Sequence, residues 1–311
     1  MRILLKVILL TGWNALCISG LSAAQVGDAA RQTRSPPMTP KTFQALPSKV
    51  ADHRIAYGDN AEQYGDLRLP ATPGLHPVVV LIHGGCLKSE YATLKDLAPM
   101  ADALKEAGFA TWNVEYRRLG NPGGGWPGTY LDVGAAVDKL RSLAAEYPLD
   151  TSRIVVVGHS AGGHLAMWVA SRPRLPSNSP LSVDAPLAVK GVVNLGGYGD
   201  LAAFRQVEKA ACGGTAIAEA VLGGDPSEVP HRYAQVSASA MLPLGKSQVL
   251  IWGEEDTNTP LWLAQQHVEA ARNAGDPIQL LILPGLGHFE IADPNSSAWP
   301  SLRKSIESLL N

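Results

Sequence analysis

The chain has 311 residues, with 26 Lys or Arg against 28 Asp or Glu, a formal charge of −2 and a pI near 6.4. That balance, with no basic stripe and no basic amphipathic stretch, argues against nucleic acid or an anionic lipid surface as partner. Three cysteines exclude a disulfide framework, and 46% hydrophobic residues are enough for one sizeable core.

Residues 1–24 read as a signal peptide. Arg2 and Lys6 give a basic start, Ile3 to Leu21 is mostly apolar, and Ser22-Ala23-Ala24 offers small residues for cleavage ahead of Gln25. Lys6, Thr11, Gly12 and Asn14 interrupt the run, so no stable membrane insertion is expected after cleavage. The expectation is an exported protein, periplasmic or secreted. Cys86 and Cys212 then remain, and an oxidising compartment permits a bridge between them, although sequence alone does not give the distance between their Cα atoms. Residues 25–48 are polar and carry Pro36, Pro37, Pro40 and Pro47, which reads as a flexible lead-in.

From residue 49 to 311 a single α/β domain is expected. Arg54 to Tyr57 and Tyr64 to Pro70 look like an antiparallel pair at a sheet edge. His76 to His83 is a nearly continuous apolar run, as in a strand covered on both faces. A helix follows over Leu94 to Ala107, a strand over Phe109 to Tyr116, and a helix over Tyr130 to Tyr147. Arg153 to Val157 is a strand leading into a helix over Ala161 to Ser171, and Val189 to Leu195 is the next strand. Strands over Gln248 to Trp252 and Ile278 to Leu283 flank a helix over Leu261 to Asn273, and a helix over Ala298 to Leu310 ends the chain. Alternation of this kind predicts a mostly parallel, doubly wound sheet behind the antiparallel pair. Two long insertions break it. Arg172 to Ala188 is rich in Pro and Ser, and residues 196–244 read as a lid, since both leave strands at their carboxyl ends.

The strand ending at Val157 runs straight into Gly158-His159-Ser160-Ala161-Gly162-Gly163. In a G-x-S-x-G turn between strand and helix, the small neighbours let the serine take a strained conformation with its hydroxyl above the sheet edge. The Ala161 N–H, opening the helix, is aimed at an oxyanion forming beside Ser160. A serine nucleophile needs a base and an acid that orients the base. Of eight histidines, His288 lies on a glycine-bracketed loop after the last strand, where it can reach back over the edge. Asp256, three residues beyond Gly253 at a strand end, is the favoured acid; Glu255 is the fallback, and Asp256 is also placed to cap the helix after Pro260. A second oxyanion donor is sought after the strand ending at Ile82, in His83-Gly84-Gly85-Cys86. There the Gly85 and Cys86 N–H groups lead and Gly84 is an alternative. Trp126, Tyr130, Tyr198 and Trp299 read as packing side chains before pocket walls. No phosphate cradle, dinucleotide pattern or metal-ligand cluster is present, so no cofactor and no metal are expected.

These residues, with Tyr116-Arg117-Arg118, Trp126-Pro127 and Asp132, resemble the esterase branch of the α/β-hydrolase superfamily. That branch takes in hormone-sensitive-lipase-like, feruloyl- and acetylxylan-esterase-like and kynurenine-formamidase-like proteins. The likeness spans roughly Val50 to Leu310. It implies the α/β-hydrolase fold and a cofactor-free serine hydrolase of small-molecule esters working through an acyl-enzyme on Ser160. Amide, formamide or peptide bonds are the alternative substrates, and a non-catalytic exported binder is the alternative of another class. Where lipase-like members carry a third glycine this chain has Cys86, and where formamidase-like members carry Trp it has Leu87.

Overall fold

Strand interiors fix the architecture. A computed structural model describes residues 36–214 and 216–311, so the signal-peptide segment lies outside the described residues. Strand β3 (His76–Ile82) is buried from Val78 to Ile82, and its side chains alternate between two cores. Val78, Val80 and Ile82 face one core, and Val79 and Leu81 the other. In β5 (Leu149–His159) the same division puts Ile154 and Val156 on one side and Val155 and Val157 on the other. A strand apolar on both faces requires cover on both, which is why the sequence reads as continuous hydrophobic runs here.

The cover comes from α2 (Ala98–Glu106) and α11 (Trp299–Leu310) on one face, through Met100, Leu104, Leu302 and Ile306. On the other lie α3 (Gly128–Asp138), α4 (Leu140–Leu143) and α5 (Ala161–Ser171). Every residue of α5 is buried, which accounts for its lack of a polar face. The remaining strands are β1 (His53–Ala56), β2 (Tyr64–Arg68), β4 (Ala110–Val114), β6 (Gly191–Leu195), β7 (Ser247–Gly253) and β8 (Ile278–Leu283). Their order is β1-β2-β4-β3-β5-β6-β7-β8, with β1–β2 and β2–β4 antiparallel and every later pairing parallel. Helix α10 (Leu261–Asn273) sends Ala264 and Val268 onto Leu250 and Trp252 of β7.

Two helices differ from expectation. The stretch read as one helix from Leu94 begins with a 3-10 turn, Leu94–Leu97, because Pro99 belongs in the first turn of an α-helix. The helix expected over Tyr130 to Tyr147 is split between α3 and α4. The lead-in expected to be flexible is ordered where it is described. Helix α1 (Pro40–Gln44) is held by a reciprocal capping box between Thr39 and Thr42, and it buries Phe43. The insertion at residues 196–244, expected to be a lid, is folded as α6 (Leu201–Phe204), α7 (Glu208–Ala211), α8 (Ile217–Leu222) and α9 (Pro230–Val236). Leu201, Phe204, Ile217, Leu222 and Val236 join the core on the α5 side. Among the described residues no helix is long and apolar enough to cross a membrane.

Buried histidines give this fold a pH dependence. His164 Nδ1 donates to the Tyr198 carbonyl at 3.2 Å and its Nε2 accepts from Tyr130 Oη at 3.0 Å, while His267 bridges Gln248 Oε1 (2.8 Å) and Ser239 Oγ (2.7 Å). Burial holds both rings neutral, with pKa values pushed down from 6.5 to about 4. The unfolded chain therefore takes up protons that the folded one refuses, and stability present above pH 6.5 is lost as pH falls toward 4. Urea unfolding should give a clearly smaller free energy at about pH 4.5 than at about pH 7, with a shallower dependence in His267→Gln. Equal stability at the two pH values would contradict this account.

Candidate active site

Four strand ends supply the site, all at the carboxyl edge of the sheet. At the end of β5, Ser160 has φ 56° and ψ −124°, a conformation that costs a non-glycine residue about 1–3 kcal/mol. Close backbone contacts hold it there. A Cβ on Gly158 would stand 1.9 Å from the Gly162 carbonyl oxygen, and one on Gly162 would stand 2.0 Å from that of Ile82. Only glycine fits at either position, as the motif predicts. The backbone N–H of Ala161, at the first position of α5, has no intrahelical acceptor.

At the end of β8, His288 is buried with its Nδ1 2.7 Å from Asp256 Oδ2. Asp256 follows β7, and each of its oxygens has its own task. Oδ1 accepts from the Asn258 and Thr259 N–H groups at 2.8 and 2.9 Å, while Oδ2 accepts from His288. It closes the turn ahead of α10 through the Asn258 and Thr259 N–H groups and orients the imidazole. It does not cap that helix, whose N-cap position is Pro260 with no side-chain cap, because its carboxylate is used up two residues too early. Burial would raise the Asp256 carboxyl, but the hydrogen bond and charge of His288, joined by the Thr259 donors, hold it below the usual carboxylate range. Thr259, which sequence reasoning missed, places Oγ1 2.8 Å from Asp256 Oδ2 and 2.9 Å from the Gly196 carbonyl. Its signal was only its place three residues after the acid.

His159 ties the end of β5, beside Ser160, to the loop that carries His288 by donating from Nε2 to the His288 carbonyl at 2.9 Å. Burial, and then the nearby His288 charge, pushes its pKa down to about 3, so it stays a neutral donor throughout the working range.

The loop after β3 carries Gly84, Gly85 and Cys86. A Cβ on Gly84 would lie 2.9 Å from Ser160 Cβ, so this backbone passes directly against the elbow. Beneath it, Glu115 Oε1 accepts from His83 Nε2 at 2.9 Å and pairs with Arg118 at 2.8 Å, while Oε2 accepts from Leu94 N–H at 3.1 Å. Burial opposes the charge on Glu115, but His83 and Arg118 overcome it and bring the carboxyl down to about 2. Tyr116 Oη donates to the His83 carbonyl at 2.7 Å. Glu115 thus anchors the loop from below, at a distance from the reacting atoms.

Ser160, His288, Thr259, Gly84, Gly85 and Cys86 line one cavity of about 380 Å³, with Phe43, Tyr91, Phe204, Cys212 and Phe289. Ser160 and His288 face this common space without a direct hydrogen bond between Oγ and Nε2, a contact that commonly tightens only when substrate is bound. Trp126, Tyr130, Tyr198 and Trp299 take no part in its wall. Cys86 and Cys212 are joined, with Cα atoms 5.9 Å apart. The bridge that sequence left open therefore pins the lid, just past α7, to the loop beside Ser160.

A sheet of this topology with an elbow serine and an imidazole–carboxylate pair at its carboxyl edge places the protein in the esterase branch of the α/β-hydrolases. The chain belongs to the BD-FAE family, whose profile matches residues 66–269. Esterase LipC of Mycobacterium tuberculosis is 28% identical over 282 residues, covering 86% of this chain and 67% of LipC. A bifunctional GH43-CE protein of Bacteroides eggerthii superposes with a TM-score of 0.68 at 26% identity, over 84% of this chain and 38% of its own. Esterase B of Lactobacillus rhamnosis shares the fold with a TM-score of 0.72 at 20% identity, over 92% of this chain and 93% of its own.

The cross-link gives a test of the lid's attachment. It closes a sequence separation of 126 residues. Removing a loop of that size from the unfolded chain's constraints costs about 4–5 kcal/mol in chain-entropy terms. The double variant Cys86→Ser/Cys212→Ser should melt roughly 10 °C lower by calorimetry. Two thiols reacting with a disulfide reagent in denatured, unreduced parent protein would contradict the pairing.

Proposed function

We propose that the protein hydrolyses carboxylic esters of small or medium size through an acyl-enzyme on Ser160. Ser160 Oγ attacks the ester carbonyl while its proton passes to His288 Nε2. Asp256 keeps the other ring proton on Nδ1 and stabilises the imidazolium that forms. The tetrahedral oxyanion is received by the Ala161 N–H and by the N–H groups of Gly85 and Cys86, with Gly84 backbone against the elbow. Donors of this kind are worth about 100- to 1000-fold each in rate. The imidazolium then protonates the leaving alkoxide. Water, deprotonated by His288, attacks the acyl carbon, and the proton returns to Ser160 Oγ as the carboxylic acid leaves.

The observation that carries this reading is His288, paired with the buried Asp256, on the wall of the same cavity as a serine in the strained elbow conformation. No metal or organic group enters the scheme. The Cys86–Cys212 bridge and the apolar first residues support an exported location, since disulfides persist in oxidising compartments.

Ser160→Ala should leave a folded protein, with circular dichroism and melting as in the parent, whose kcat/KM on 4-nitrophenyl acetate or butyrate falls by at least about a thousandfold. Retained turnover would remove Ser160 from the mechanism. In the parent, short esters should be cleaved faster than aryl formamides and dipeptide anilides under the same conditions. A reversed order would assign the site to amide bonds.

A further inference from the structure

Helix α1 lies outside the stretch matched by the family profile, yet it is fastened across the catalytic cavity at both ends. At its start the Met38 N–H donates to Glu290 Oε1 at 2.5 Å, two residues beyond His288. At its end Gln44 Nε2 donates to the Tyr91 carbonyl at 2.6 Å and to Asp96 Oδ2 at 3.3 Å, in the segment that follows the Gly84–Cys86 loop. Between these ties Phe43 is 3% exposed, with ring centroids 5.5 Å from both His159 and Phe289, and it forms part of the cavity wall.

Reaction chemistry gives that position a meaning. His288 must hand its proton to the leaving alkoxide, so the alcohol portion of an ester leaves along the His288 side of the cavity. The loop at Gly85 and the cross-linked lid line the cavity elsewhere. Phe289 stands beside His288, with the two rings 5.2 Å apart, and Phe43 packs next to Phe289 with ring centroids 5.5 Å apart. Aromatic faces gain most from flat partners, through large contact area and preferred stacking geometries.

We propose that Phe43, carried in by the N-terminal segment, is a specificity-determining residue of the leaving-group subsite, where with Phe289 it favours alcohols that carry a flat ring. The proposal rests on the serine-ester reading above. It assigns the segment a part in substrate choice, and it confines that part to acylation, because the alcohol has departed before deacylation begins.

The test compares acetate esters of a ring-bearing and a flexible alcohol, 1-naphthyl acetate and ethyl acetate, on full-length parent, Phe43→Ala and Phe43→Leu. In Phe43→Ala the ratio of kcat/KM for the naphthyl over the ethyl ester should fall about tenfold. Phe43→Leu, which removes the ring but keeps a branched apolar side chain, should move the ratio in the same direction. The deacylation rate, read from the steady phase after the burst, should change less than acylation. An unchanged ratio in both variants, or a loss shared equally by both esters and by deacylation, overturns the proposal. Absence of turnover and of fluorophosphonate labelling in the parent is a different result, which overturns the ester reading and the subsite together.

Discussion

Backbone pressed on backbone at the end of β5 is the constraint from which the rest of the site follows. With Gly162 against the Ile82 carbonyl and Gly158 against that of Gly162, the strand has no way into α5 except through a left-handed residue, and that residue is Ser160. The stored strain of about 1–3 kcal/mol is borne by the surrounding core, in which Val155 to Val157 and all of α5 are buried. Because the elbow is rigid, everything that must meet the serine is brought to it by neighbouring strands. Residue 84 arrives from β3, Asp256 from β7 and His288 from β8.

The second layer of the site consists of ties between those arrivals. His159, next to Ser160, holds the His288 carbonyl, and Thr259 holds the carboxylate that holds the imidazole. Glu115 fixes the loop at Gly84 through His83 and Leu94. A neutral His159 matters here, since a second positive ring with its centroid 4.8 Å from the His288 ring would oppose any positive charge there. Preorganisation of this kind leaves little to rearrange when charge develops on the substrate.

The sheet, its strand order class and the elbow were legible in the sequence because they rest on local signals. These are continuous β-branched runs, a period of 3.6 in the flanking helices, and glycines where only glycine fits. Asp256 stood out by its place after Gly253 and His288 by the glycines around it, and the fold brings the two side chains to 2.7 Å. What escaped is long-range. Nothing around Phe43 marks it as a cavity wall, because its partners His159 and Phe289 lie more than a hundred residues away; prolines nearby read as disorder although Pro40 begins a helix. The Cys86–Cys212 distance depends on how the lid folds, which periodicity does not encode. Glu115 was visible in the sequence as the end of a strand near the site, but its partners His83, Arg118 and Leu94 are gathered round it only by the fold.

The central claim is a covalent intermediate at one side chain, and the most direct measurement is peptide mapping by mass spectrometry of enzyme quenched with acid during turnover of an activated acetate ester. The account predicts an acetyl group on the peptide containing Ser160, present during turnover and gone once substrate is exhausted. An acetyl group on a different residue that turns over at the catalytic rate, with Ser160 unmodified, would contradict it.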